Sequence, residues 1–310
     1  MFLCVLNFAT KIIDKAYNSL LSPSFRVKSE RAILAVAIAS YIVHLIVILL
    51  VNQKIISLES SFFSSPIAAI YTPFSFILIY EVYLLIFFLP KSISYYIGKQ
   101  YEIIMLIVIR KIFKDISNIE ISSDWFKIES DLQFTYDVLT SLILFFLIFL
   151  FYKNIINKKE QESEDTVAPK IRSIKKFISF KKILAVLLVP VLVILSIYTI
   201  SNWSMLMLSD YQFGLYEFKN INNIFFDEFF TILIIVDVLL LLSSLFYSDK
   251  FYKIIRNSGF VISTILIKTS FSAEGLVSNA LIIGSVLFGL LILVIHNFYE
   301  KNTAYFSRKY

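Results

Sequence analysis

Two acidic side chains stand inside long apolar runs of this chain: Glu81 within Ile67–Pro90 and Asp237 within Phe229–Tyr247. An ionised carboxylate among lipid tails is costly, so such a residue pairs with a cation, passes a proton or faces a wet path. Lys99 and Glu102 stand early in a shorter apolar segment, Ile97–Phe113. Counted from the expected cytoplasmic end, Glu102 reaches the depth of Glu81. Two carboxylates at one depth can share a proton or hold a cation between them, and Lys99 neutralises one charge. Arg110 follows Glu102 by eight residues, on nearly one helix face. Lys268 closes a second short apolar segment, Gly259–Ile267. These types and spacings point to the movement of a small cation or protons. Glu81, Asp237 and Glu102 are the expected ion-binding or relay acids, with Arg110, Lys268 and Lys99 as charge partners. Tyr80 and Tyr83 flank Glu81, and Tyr83 is placed to donate to it. The competing reading makes the acids structural and lets the basic side chains snorkel to the headgroups.

Other chemistries lack their residues. There is no HExxH, CxxC or paired-His spacing, no GxSxG, no phosphate loop and no GxGxxG, so no metal site, cofactor or enzyme activity is expected. His44 and His296 each stand alone in an apolar helix and read as hydrogen-bonded structural residues. Arg110 and Lys111 are adjacent and no triplet ladder of basic residues exists, which argues against a voltage sensor. One cysteine, Cys4, gives no disulfide framework.

The elements that must position these residues are transmembrane helices. Ala32–Val51, Ile67–Pro90, Val138–Tyr152, Ile183–Ser201, Phe229–Tyr247 and Leu276–Phe298 are nearly continuous apolar runs. At ~1.5 Å per residue, runs of this kind cross a hydrocarbon core of ~30 Å. The 310 residues are 58% hydrophobic and 16% aromatic, with a mean hydropathy of +0.78. A water-soluble core has no room for that excess, and unbroken runs exclude a transmembrane β-barrel. Six Gly and six Pro suit long regular helices. Pro73 and Pro190 lie inside runs and are expected to kink them.

Basic residues set the orientation. Lys11, Lys15, Arg26, Lys28 and Arg31 precede the first run, and Lys153–Lys182 is Lys-rich. Both stretches are expected in the cytoplasm. Six crossings would put the second stretch outside, so the short segments 97–113 and 259–272 are counted as spans. The fold class is then an all-α polytopic bundle of eight spans, with both termini cytoplasmic. The alternative is six spans plus two interfacial helices.

The halves also resemble each other: Glu81-Val-Tyr-Leu-Leu matches Asp237-Val-Leu-Leu-Leu, and Leu106–Phe113 matches Thr264–Phe271. Two four-span pseudo-repeats follow. Residues 1–30 form a cytoplasmic or interfacial amphipathic helix and 31–153 the first half. Residues 154–182 form a basic linker, 183–298 the second half and 299–310 a cytoplasmic tail.

With no signal sequence or soluble module in view, the expected setting is a bacterial cytoplasmic membrane. The net charge of +6 sits beside the spans, so it implies anionic lipid at Lys170–Lys182 rather than nucleic acid. Ala280, Gly284, Ser285 and Gly289 suit close packing of the last span, within the chain or in a homo-oligomer. The sequence reads as a channel or secondary transporter, with a non-conducting subunit or scaffold of a larger membrane complex as the alternative.

Overall fold

A long apolar run in lipid has one way to satisfy its backbone within a single segment, the α-helix. The computed structural model describes residues 13–55, 66, 68–116, 129–159, 168–209, 216–247 and 251–307, and every regular element among them is helical. A short α1 covers residues 13–20. Then come α2 (Pro23–Asn52), α3 (Tyr71–Phe88), α4 (Ile93–Asp115) and α5 (Glu129–Lys159). The second part has α6 (Ala168–Ser209), α7 (Tyr216–Tyr247), α8 (Phe251–Ser270) and α9 (Gly275–Ser307). Five of them, α2, α5, α6, α7 and α9, contain stretches long and apolar enough to cross a membrane. The protein is therefore an all-helical, membrane-embedded chain.

Local chemistry sets the ends. Ser22 caps α2 by accepting the Phe25 N–H at 3.2 Å, and Pro23 occupies the first turn, where its missing N–H costs nothing. Pro73 likewise lies in the first turn of α3. The expected kink there is thus replaced by a helix start, and Pro190 alone sits in a helix interior. Helix α5 runs through Lys159 and α6 begins at Ala168, so most of the expected linker is helical; residues 160–167 lie outside the described residues. The expected tail mostly continues α9.

Three consecutive pairs, α2–α3, α4–α5 and α7–α8, lie antiparallel. Tyr80 meets Glu30 and Thr72 meets His44 across α2 and α3. Gly98 lies under Tyr152 and Tyr101 packs on Phe151 across α4 and α5. Asp237 meets Thr264, and Ser244 meets Asn257, across α7 and α8. Helices α5 and α9 instead run parallel: Asn279 donates to Asp137 at one end and Asn297 donates to the Asn154 carbonyl at the other. The packing order α2–α3–α4–α5 recurs as α6–α7–α8–α9, and the two sets meet at α4–α8, α5–α9 and α3–α6.

The two short segments form the middle of the bundle. Tyr96, Ile97, Tyr101, Ile103, Ile104 and Val108 of α4 are fully buried. Helix α8 buries Asn257, Ser263, Thr264 and Ser270 while exposing Ile255, Ile262 and Ile265. That is the reverse of a water-facing amphipathic helix and suits a lipid surround with polar groups turned inward. The small residues of α9 divide. Ser285 accepts from Ser263 through its carbonyl at 2.8 Å. Gly289 gives its face to the Tyr101 hydroxyl, whereas Gly284 meets nothing. A Cβ at Gly289 has no room, so this glycine is a close-approach site.

Candidate functional site

One turn of α4 gathers most of the ionisable residues singled out above. Residues one apart on a helix point about 100° apart, so neighbours serve different partners. Lys99 faces α3: its Nζ bonds Glu102 on its own helix and lies 3.9 Å from Glu81 Oε2. Side-chain exposures of 17%, 16% and 27% for Lys99, Glu81 and Glu102 leave this cluster partly open. Gln100 faces the other way. Its Nε2 donates to Asp237 Oδ2 at 3.1 Å, and Thr264 donates to the same oxygen at 2.7 Å. The Thr264 hydroxyl is also 2.8 Å from Gln100 Oε1. Asp237 is 5% exposed and Gln100 fully buried, and no ion pair among the described residues involves Asp237.

Glu81 and Glu102, expected at one depth, share the Lys99 ammonium, and the same turn of α4 reaches Asp237 through Gln100. The neighbours give that depth a slope. Tyr101, in the same turn, packs against Gly289 near the middle of the α9 apolar run. Tyr80, next to Glu81, donates to Glu30 at 3.0 Å, just before the apolar run of α2 begins. The Glu81 side therefore lies near the basic end of α2, and the Asp237 side lies in the middle of the bundle.

Several expected partners sit elsewhere. Tyr83 donates to the Leu20 carbonyl at 3.0 Å, not to Glu81, and so ties α1 to α3. Lys268 pairs with Asp227 at 3.4 Å, ten residues before Asp237 on α7. The Arg110 guanidinium lies 5.4 Å from the centre of the Phe226 ring. Position along the axis explains both: Arg110 lies about two turns past Glu102 and Lys268 about one turn past Thr264, so both meet α7 on the N-terminal side of Asp237. His44 bonds Thr72 at 2.6 Å, which fits its structural reading.

Sequence reasoning missed Gln100, Thr264 and Glu30. Gln100 had a legible signal, as an uncharged polar residue one turn from Tyr96 in an apolar segment. Glu30 had none beyond its place at the edge of a run. Beside Asp237 lies a cavity of about 10 Å³, lined by Ile93, Ile97, Asn257 and Phe260 among others, which is room for about one water. Among the described residues, no group of three His, Cys, Asp or Glu side chains gathers where a metal could be held. This arrangement can hold or relay a proton, or coordinate a small cation after local opening. No protein-family model matches the chain, and no curated protein or solved structure matches it either.

Proposed function

We propose that the protein is a channel or secondary transporter for protons or a small cation, held here with its path closed. The observation that carries this reading is the single α4 turn that joins both acids: Lys99 and Glu102 to Glu81, and Gln100 to Asp237. Carboxylates bridged in one polar belt inside an apolar bundle are the groups a proton or cation would use, and intramembrane acids carry function more often than not. The one-water cavity beside Asp237 favours the smallest cargo.

Eight crossings in two parallel pseudo-repeats form the frame of the proposal. The antiparallel pairs α2–α3, α4–α5 and α7–α8, the parallel α5–α9 pair and the ring pairs Phe74–Phe113 and Phe230–Phe271 support it. The proposal keeps a bacterial cytoplasmic membrane as its setting, and the basic end of α2 and the Lys-rich stretch 153–182 support both termini lying inside. A second reading, a non-conducting subunit or scaffold, is favoured by one observation: the close-packed, nearly dry surround of Asp237.

Flux into liposomes separates the two readings. Transport by the wild-type chain that falls to background in Glu81→Gln and in Asp237→Asn is the expected result. Intact transport in both variants removes the acids from the path. Absent wild-type flux, with both variants losing stability or partner recovery, assigns the chain to the scaffold class.

A further inference from the structure

The short helix α1 touches both sets of helices. At its C-terminal end Leu21 is 2% exposed and belongs to the core. The Leu20 carbonyl accepts from the Tyr83 hydroxyl of α3 at 3.0 Å, and the Phe25 ring lies 6.0 Å from the Tyr83 ring. At the other end α1 meets α6. Lys182 pairs with Asp14 at 3.6 Å, and its Nζ lies 4.9 Å from the centre of the Tyr17 ring. Asp14 and Tyr17 are three residues apart, so they share one face of α1 and hold one ammonium between them. Six residues, about 9 Å of helix, separate the bond to α3 from the bond to α6. Helices α3 and α6 belong to different sets and meet directly as well, so α1 is a second tie across the same junction.

Different forces hold the two ends. Apolar burial and a hydrogen bond between uncharged groups hold the α3 end, and neither depends on charge. The α6 end is an ion pair whose side chains are 31% and 60% exposed, Lys182 and Asp14 in turn. Exposed pairs of this kind are weak, and salt screens them: the Debye length falls from about 10 Å at 0.1 M to about 3 Å at 1 M. We propose that α1 is a strap across the α3–α6 junction, anchored at α3 and released from α6 by rising ionic strength. Latched, it holds α6 to α3 near Lys182 and Tyr83. Unlatched, it swings about Leu21 and leaves the junction to the direct packing of α3 on α6. The strap lies apart from the acids of the polar belt and stands whether or not the chain conducts.

The test measures distances between spin labels in the full chain, carrying Cys4→Ser and reconstituted in phosphatidylcholine nanodiscs. Labels go on exposed positions in two pairings. Asn18→Cys with Ser179→Cys reports α1 against α6, and Asn18→Cys with Ile79→Cys reports α1 against α3. In about 0.1 M salt the α1–α6 pairing should give one short distance. In about 1 M salt, and in Lys182→Gln at the lower salt, a longer distance should gain roughly tenfold on the short one, which is the combined worth of an exposed ion pair and a cation–π contact. Lys182→Arg should keep the short distance, and the α1–α3 distance should hold throughout. An α1–α6 distance that ignores either the salt or Lys182→Gln overturns the proposal, because burial alone would then hold α1. Opening in Lys182→Arg equal to that in Lys182→Gln overturns it too, as does an equal change in the α1–α3 distance, which would mean that α1 undocks as a whole.

Discussion

Glu81 on α3 and Asp237 on α7 touch the same turn of α4, yet their surroundings differ in kind. Glu81 sits with an ammonium and a second carboxylate in a cluster that is partly open, one residue from a tyrosine bonded to Glu30. Asp237 sits with an amide and a hydroxyl, enclosed on all sides. One acid is balanced by charge near an edge, the other by hydrogen bonds in the interior. The same residue class can thus be settled in a membrane by two separate means, and each means has its own sensitivity to substitution.

The sharpest break is expected from the support behind Asp237. Gly289→Ala pushes a methyl into the Tyr101 hydroxyl, beside Gln100. A loss on the order of 1–3 kcal/mol is expected from such overpacking. Adding Tyr101→Phe recovers part of it, as read by unfolding in detergent or lipid. Next in size, Asp237→Leu strands Gln100 and Thr264 and should cost about 1–2 kcal/mol in stability. Glu81→Gln leaves the Lys99–Glu102 pair standing, so its cost should stay below about 1 kcal/mol. Equal losses for the two acids would erase the distinction drawn above. Smallest of all, double-mutant cycles on Phe74–Phe113 and Phe230–Phe271 should give similar couplings of about 0.5–1.5 kcal/mol each. Similar values sharpen the correspondence of the halves, and a coupling in one half alone breaks it.

Much of the frame was legible because lipid imposes a simple grammar: a long apolar run is a helix, and a charge within it must face inward. That grammar located the helices and set Phe113 opposite Phe271, whose rings pack on Phe74 and Phe230. It could not supply lateral neighbours. Whether Tyr83 meets Glu81 or the Leu20 carbonyl depends on helix rotation and on where α1 docks. Lys268 finds Asp227 because α8 runs antiparallel to α7 at a register no single sequence displays. Gln100 was legible as a polar residue in an apolar segment, but nothing in the sequence said that it faces Asp237.

The seam between α5 and α9 has a mechanical consequence. It is riveted twice, at Asp137–Asn279 and at Asn154–Asn297, points about 25 Å apart at the rise of an α-helix. Two fixed points forbid one half from sliding along the other and leave a pivot about the line that joins them. Swinging on that hinge would load the other two contacts between the sets, α3–α6 and α4–α8, before the seam itself.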